Sequence, residues 1–418
     1  MAFGTVAGMR RYVNKTFQLE AQLGAFRDGR VAPTVPLAPV LGTWLWGFVR
    51  RLPATEQVGD LLRDPRWRHL LGLRPEDGGS PDTAGRVLDG LRAAEWHEFL
   101  LEFFFTARRA GVLQDDGPYG QKCAVIDLNE LFTSRTRHCP DCQQREVTVA
   151  DPAGTTHKVT EYFHQAVALV WAGGEIAWPL GWEVLQPGEG ELTAAYRLLD
   201  RLLPRLRHSL DLVLGDALYC CRPFFQLVCG AGLHGLAICN EQTDLDAEMD
   251  FCQAHQSPRL TCGGDVAQWE LHSTAWEREL KLGRPLRVLH CERRTAAKPW
   301  KHERRALRVV TSAPVEILPA GQGWKVGRSR WKVENGAFNL LTHDYALTHN
   351  YRHSAAAILG LLVLRAVAYC VTWAYRRFAS ARSRDAPRDF LRWFQAVLLE
   401  DWVRYLDGAL VAANPRGG

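Results

Sequence analysis

The stretch GRSRWKVENGAFNLLTHDYALTHNYRH, residues 327–353, carries the pattern from which the rest of the chain can be read. Its first half predicts an α-helix, because large side chains recur at helical spacing along one face. The members of that face are Trp331, Glu334, Phe338 and Leu341. A carboxylate within an apolar stripe is costly to bury unless it is paired or binds a metal. Glu334 is therefore a candidate site residue, and the alternative is a buried glutamate paired with Arg330 or Arg352.

The composition is that of a globular protein with locally concentrated positive charge. The 418 residues suggest two or three domains, and 47% hydrophobic and 23% charged residues are ordinary values. A net charge of +5 excludes a polycation. Basic residues are concentrated in 293–308 and 376–392, which suits a phosphate backbone as well as a solvated face.

The cysteines and the apolar segments indicate a reduced compartment and no membrane span. The 11 cysteines are scattered, which favours reduced thiols over a disulfide framework. The N-terminus lacks the apolar core of a signal peptide. Residues 355–375 are nearly long enough to cross a bilayer, but Arg365 lies at their middle and no second span accompanies them. We predict a buried core helix and a cytoplasmic, nucleoid-associated protein.

The order of secondary structure predicts the fold class. Short apolar runs indicate strands, and 3.6-residue periodicity indicates helices. Strands are predicted at 123–128, 162–172, 176–185, 210–214 and 234–239, with helices at 191–203 and 223–230. With the helix of Glu334, the order is three strands, then helix, strand, helix, strand, helix. That order is typical of a ribonuclease H-like α/β fold, a mixed sheet flanked by helices.

Other regions of the chain do not follow this core pattern. Residues before 118 are mainly helical, with helices at 83–91 and 95–110, and could bind DNA or pack on the core. Three β-prone segments form a β-rich insertion before the last core helix; they are 267–273, 286–292 and 306–312. The predicted domains are a helical domain at 1–118, a core at 119–239 and 327–380, the insertion at 240–326 and a helical tail at 381–418.

Three carboxylates occupy special places in this core. Asp127 ends the first predicted strand, Asp216 follows the fourth, and Glu334 lies on the last helix. The first and fourth strands are neighbours in such a sheet, so their ends bring the two aspartates together. Clustered carboxylates need cations between them, and oxygen ligands suit Mg²⁺ or Mn²⁺. Each aspartate alone could be a turn residue; Asp211 and Asp344 are weaker rivals, the first at the wrong strand end.

At these motifs the chain resembles the DDE transposases of bacterial insertion sequences, in particular the group with a β-rich insertion. The matching pieces are IDLNELFTSRTRHCPDC, LVLGDALYC and the stretch at 327–353. The resemblance implies a catalytic triad of Asp127, Asp216 and Glu334 that holds Mg²⁺, and an arginine four residues before the glutamate, here Arg330, that contacts DNA. Two other positions of that signature, usually Tyr and Lys, hold Gly327 and Leu341.

A second cluster has the spacing of metal ligands. Cys139 and Cys142 form a C-x₂-C pair, and His157 and His164 follow it. Two cysteines and two histidines can hold Zn²⁺ tetrahedrally. Because no second C-x₂-C pair exists, the ligand set is incomplete by sequence, and a plain β-hairpin with free thiols is the alternative.

The insertion contains the clearest candidate surface for DNA. Its cations suit phosphates and its tryptophan suits base stacking, unless Trp300 packs in a small core of its own. The residues of this basic run are Arg293, Arg294, Lys298, Trp300, Lys301, Arg304 and Arg305.

The leading interpretation is a metal-dependent DNA transposase that acts on double-stranded DNA, transposon ends and target, as a homodimer. Two alternatives remain at this stage. One is a ribonuclease H-like nuclease that cuts without strand transfer. The other is a DNA-binding derivative of a transposase that has lost catalysis, which the intact carboxylates disfavour. The long insertion disfavours a simple nuclease, since a bare core has no need of it.

Overall fold

A computed structural model describes most of the chain. The described residues are 6–52, 54–74, 79–113, 120–151, 154–174, 176–239, 243–261, 264–272, 286–293, 306–319, 321–380 and 401–407. The predicted DNA contacts of the basic run after Arg293 lie outside these residues, and so does all of the predicted tail except 401–407.

The chain forms two compact units. One is drawn from 1–113, 130–164 and 340–418, and the other from 114–129 and 165–339. The predicted domain boundaries do not coincide with this division and stay predictions.

The strands form a ten-stranded mixed sheet. They are β1 Cys123–Ser134, β2 Gln143–Ala150, β3 Thr156–Trp171, β4 Trp178–Val184, β5 Leu212–Gly215, β6 His234–Ile238, β7 Arg259–Thr261, β8 Val266–His272, β9 Arg287–Arg293 and β10 Ala306–Thr311. Within the second unit the order is β3-β1-β5-β6-β10-β9-β8-β7, and β4 pairs with β3. β5 is parallel to β1 and to β6, so the predicted neighbours of the core are confirmed.

The β-rich insertion continues the core sheet. β8, β9 and β10 lie close to where the sequence predicts them. β10 pairs antiparallel with β6, with Val309 opposite Ile238, which joins the insertion to the core through backbone hydrogen bonds. Helix α10 and strand β7 were not predicted, because their sequences show neither a clear helical period nor the clear alternation of a strand.

Helices pack on the strands of the second unit. The helices of this unit are α8 Glu191–Leu206, α9 Arg222–Gly230, α10 Thr243–His255 and α11 Gly323–Ser329. α8 buries Leu198, Leu199 and Leu202 on one face, as its periodicity predicts. A Cβ at Gly181 of β4 would lie 2.5 Å from Leu202, so the bare glycine allows α8 to pack directly on the sheet. Pro204 lies inside the helix, which ends two residues later rather than at the proline.

The other unit is largely helical. Its helices are α1 Val6–Phe17, α2 Leu19–Gly24, α3 Leu37–Val49, α4 Thr55–Arg63, α5 Pro65–Leu70, α6 Pro81–Asp89, α7 Ala93–Arg109, α12 Asn339–Tyr345, which begins at the edge of the second unit, and α13 Ala355–Ser380. α13 is the one described helix long and apolar enough to cross a membrane, and 89% of its apolar window is buried within the protein. This fits the buried core helix predicted from the sequence.

Arg365 lies at the middle of α13, where carbonyl oxygens and aromatic rings of the described residues surround it. Its guanidinium donates to the carbonyl oxygens of Leu347 and His349 and lies over the rings of Phe48 and Tyr351. Burial lowers its pKa to about 10, so the group stays charged at neutral pH. Carbonyl and aromatic contacts therefore replace the water that the cation loses.

Gly215 precedes Asp216 at the end of β5 and allows a tight turn there. An added Cβ would lie 2.5 Å from the Cβ of Tyr219, closer than side chains pack. We expect Gly215→Ala to destabilise the fold by about 1–3 kcal/mol through overpacking. Urea unfolding followed by circular dichroism measures this change. Gly230→Ala is the matched control, because a Cβ there meets nothing within 4 Å; equal stability of both variants would contradict the prediction.

Candidate active site

Asp127 and Asp216 are placed together by the register of two parallel strands. Val125 of β1 lies opposite Leu214 of β5. Two residues further along each strand this register leads to Asp127 and Asp216, and residues two apart share a face. The sequence analysis placed Asp127 at the end of its strand, but β1 continues to Ser134. Asp127 instead lies just past the part of β1 that pairs with β5.

Asp216 ends β5 and begins a short turn. Its Oδ1 accepts a hydrogen bond of 2.8 Å from the backbone N–H of Leu218, in the 3₁₀ turn Ala217–Tyr219. The turn interpretation considered from the sequence is therefore correct as a description of local structure. One oxygen caps the turn, and this leaves the other oxygen of the carboxylate for a further ligand.

Glu334 lies in a π-helix and not on the predicted apolar stripe. Residues Val333–Phe338 are π-helical, and the segment buries Val333, Ala337 and Phe338. The side chain of Glu334 is 43% exposed, and Trp331 is only half-buried. A π-helix closes its hydrogen bonds over five residues, so it shifts the helix phase relative to the α-helical spacing used for the prediction. The predicted stripe is thus wrong, while Glu334 remains accessible to a ligand.

Arg330 bridges two members of the predicted triad. One guanidinium nitrogen, Nη1, lies 2.6 Å from Glu334 Oε1 and 3.5 Å from Asp127 Oδ2. The ion pair with Glu334 that the sequence offered as an alternative does form, but the same cation also contacts Asp127. The bridge shows that the two carboxylates face a common space that accommodates positive charge.

The electrostatics of Asp127 mark this space as an acidic cluster. Asp127 as a residue is 8% exposed, and burial raises the pKa of its carboxyl group to about 7. Arg330 opposes the shift, and the negative charges of Glu334, Asp216 and Glu191 add to it. Four carboxylates therefore act on one another, although only three were predicted.

Glu191 is the member that sequence reasoning missed. It is the first residue of α8, and its Oε1 accepts a hydrogen bond of 2.8 Å from the hydroxyl of Tyr219. Burial raises its pKa, and Asp216 contributes to the shift. Carboxylates are common in the first turn of helices, so the sequence offered no signal beyond a Gly-Glu helix start.

The rival carboxylates have other partners. Asp211 accepts a hydrogen bond from the backbone N–H of Lys122 at the opposite end of β5, as expected for a residue at the wrong strand end. Asp344 forms an ion pair of 2.9 Å with Arg51. Arg352, the other partner proposed for Glu334, pairs with Asp89 at 2.7 Å.

The C-x₂-C pair lies in a cluster of two cysteines and two histidines. Single ligand atoms of Cys139, Cys142, His164 and His353 all lie within 4.8 Å of one another. His157, predicted as a ligand, is exposed and pairs with Val149 on β2. It precedes His164 by seven residues on β3, so the two histidines point to opposite faces about 23 Å apart. His353 takes that place, and its distance along the chain hid it from the sequence analysis.

The histidines of this cluster are in the protonation state that ligands require. Burial lowers the pKa of His164 to about 4, and burial also lowers the pKa of His353. Both imidazoles are therefore neutral at pH 7, and a neutral imidazole can donate a nitrogen lone pair to a metal. The ring of Phe132 packs on both histidines, with centroids 5.3 Å from each.

Comparison with known proteins gives one family match, which covers part of the chain. No curated protein matches the chain. Residues 181–371 match the family model described as "Transposase DDE domain". The matched range contains Asp216 and Glu334 and begins after Asp127. Residues 181–371 are therefore similar to a transposase DDE domain, which confirms the resemblance of the motifs at Asp216 and Glu334 to the DDE transposases of insertion sequences.

Proposed function

We propose that the chain catalyses metal-dependent cleavage and strand transfer at the ends of an insertion sequence, with Asp127, Asp216 and Glu334 as the catalytic triad. The observation that carries this proposal is the buried Asp127. Burial raises its pKa to about 7, and the charges of three neighbouring carboxylates add to the shift, an arrangement that weakens the fold unless a cation joins it. Within a DDE domain, such an arrangement supports phosphoryl transfer.

The donor set fits the divalent ions that this family uses. All the candidate ligands are carboxylates, which suit Mg²⁺ or Mn²⁺ and suit the softer metals poorly. The contact of Arg330 with both Asp127 and Glu334 supports the fit, because it shows that the space between them accepts a cation. When bound, the ions would activate a water or a 3′-hydroxyl and stabilise the leaving oxygen.

The remaining residues of the site act on charge and position. Arg330 pairs with Asp127 and Glu334 in this structure, and we propose that it contacts the DNA phosphate when a bound metal ion offsets the charge of these carboxylates. Tyr219 donates its hydroxyl hydrogen to Glu191 and so fixes this carboxylate at the start of α8. Glu191 then adds negative charge beside Asp216, which attracts metal cations and protons alike.

The proposed partner is double-stranded DNA, bound by a homodimer in the cytoplasm. The basic run of the insertion connects β9 to β10, which are paired antiparallel strands with Ala306 opposite Glu292. The described strand ends that flank the run, Glu292 and Ala306, therefore lie side by side. Arg293, the one member of the run among the described residues, is half-buried at the end of β9.

Removal of any one carboxylate of the triad should abolish catalysis. We expect Asp127→Ala, Asp216→Ala and Glu334→Ala each to lower DNA cleavage in Mg²⁺ by at least about 100-fold, because a lost ligand mispositions the metal. Binding to DNA should persist. Denaturing gels of end-labelled DNA resolve nicked from joined products. Asp211→Asn is the matched control, since it keeps its bond to Lys122 at the other end of β5. A triad variant with near wild-type cleavage would remove that residue from the site, and cleavage without joining in the wild type would indicate a nuclease.

The raised pKa of Asp127 predicts that removal of its carboxylate increases the stability of the fold, although the same change should abolish catalysis. Its ordinary pKa is about 4, so its ionised form destabilises the fold increasingly between pH 4 and 7. Asp127→Asn should therefore be more stable than the wild type at pH 8, by about 2–4 kcal/mol, and the difference should vanish near pH 4. Thermal unfolding at the two pH values tests this. Mg²⁺ should raise the melting temperature of the wild type but not of Asp127→Asn; equal melting temperatures at pH 8 without Mg²⁺ would refute the acidic cluster.

The insertion predicts a separate effect on DNA affinity. Charge reversal at Arg304 and Arg305 should weaken binding to any DNA and flatten its dependence on salt, because fewer counterions are released. Fluorescence anisotropy at several salt concentrations measures both quantities. An unchanged salt slope would show that these arginines do not contact phosphates.

A further inference from the structure

The ligand atoms of the cysteine–histidine cluster have the spacing of a tetrahedral metal site. Around Zn²⁺, bond lengths of about 2.3 Å to sulfur and 2.0–2.1 Å to nitrogen imply edges of about 3.8 Å between two sulfurs and about 3.6 Å between sulfur and nitrogen. The Sγ atoms of Cys139 and Cys142 lie 3.7 Å apart. His164 Nε2 lies 3.4 Å from the first and 3.3 Å from the second, and His353 Nδ1 lies 3.9 Å from Cys142 Sγ. Four of the six edges of a coordination tetrahedron are therefore close to their expected lengths, and all the ligand atoms lie within 4.8 Å of one another.

The same distances disfavour the ordinary explanations. A disulfide requires sulfurs about 2.05 Å apart, so the two cysteines are not bonded. A core histidine without a metal needs one hydrogen-bond partner at each nitrogen, whereas His164 Nε2 points between two sulfurs, which are weak partners. His164 is fully buried and Cys142 is 4% exposed. Two sulfurs and two nitrogens that converge, from two buried and two half-buried residues, favour a shared ligand.

We propose that Cys139, Cys142, His164 and His353 bind one Zn²⁺ as a closed, structural metal centre. Four protein ligands leave no open position, so the ion would have no role in the reaction itself. The soft thiolates separate this centre chemically from the carboxylate site, which suits hard cations. The proposal goes beyond the proposed function and does not rest on it.

The centre would join chain segments that are distant in sequence. Cys139 and Cys142 form the turn before β2, and His164 lies on β3, whereas His353 belongs to the segment Tyr351–Ser354 before α13. The neighbours of His353 anchor this segment to the helices. Tyr351 donates a hydrogen bond of 2.7 Å to the carbonyl oxygen of Leu52, and Arg352 pairs with Asp89. The metal would thus hold the β2–β3 hairpin to the helical part of the same unit.

The ligands His164 and His353 lie on either side of residues 165–339 in the sequence. His164 is the last residue of its unit before the chain enters 165–339, and His353 follows the return of the chain at 340. The ion would therefore close the loop that contains most of the DDE domain. Loss of the metal should loosen the unit that contains the ligands and leave the carboxylate cluster's own contacts in place.

The first experiment measures metal content. Full-length protein, purified under reducing conditions without a histidine tag or chelators, should contain about one zinc per chain by mass spectrometry. Cys142→Ser and His353→Ala should lose the zinc. His157→Ala is the matched control, because this histidine lies on the same strand outside the cluster and should leave the content unchanged. Retention of stoichiometric zinc by His353→Ala would overturn the ligand set.

The second experiment identifies the geometry and guards against a variant that fails to fold. Protein refolded with Co²⁺ should show intense visible bands of a tetrahedral ion and a thiolate charge-transfer band in the near ultraviolet. His353→Cys should restore metal binding that His353→Ala has lost, with a stronger thiolate band. Failure of the reduced wild type to take up added Zn²⁺ or Co²⁺ would refute the centre, whatever the outcome of the cleavage assays.

Discussion

The parallel pairing of β1 with β5 is the constraint on which the active site depends. A shift of one residue in this pairing would turn Asp127 and Asp216 to opposite faces of the sheet. The register of Val125 with Leu214 prevents this, and it is maintained by apolar side chains that are fully buried on both strands. Packing of these apolar side chains therefore stabilises the paired segments that carry the two aspartates. This is why the carboxylates can be held together although they repel one another.

The acidic cluster is also a local conflict in an otherwise consistent fold. Burial and like charge both destabilise ionised Asp127, and the single guanidinium of Arg330 offsets only part of that effect, since the pKa stays near 7. Glu191 increases the conflict, and the hydroxyl of Tyr219 holds it in place. Sites at which sequence and fold disagree in this way are expected to be functional, because a ligand resolves them. The ligand that we propose for this site is a divalent cation.

Sequence reasoning was successful where one element carries the information and failed where two elements must meet. The apolar runs of β1 and β5 and the periodicity of α8 predict the cores of those elements well, and the predicted pairing of β1 with β5 places the two aspartates near each other, although β1 continues past Asp127. The π-helix around Glu334 was not predictable, because its phase depends on packing of Val333 and Ala337 and not on a spacing rule. Glu191 and His353 were missed for the same reason: each becomes part of its site through contacts with residues far away in sequence.

The loop that begins at His164 explains why a metal would be useful in this chain. The helical unit is interrupted by residues 165–339 and must close a loop of that length before its last helices can pack. Closing a loop of about 100 residues costs roughly 5 kcal/mol of chain entropy, and a longer loop costs little more. A structural zinc site contributes about 10–16 kcal/mol in small peptides, which exceeds this cost. His164 lies before the interruption and His353 after it, so an ion bound to both would stabilise closure of this loop. The hydrophobic core around α13 cannot do so until the chain has returned.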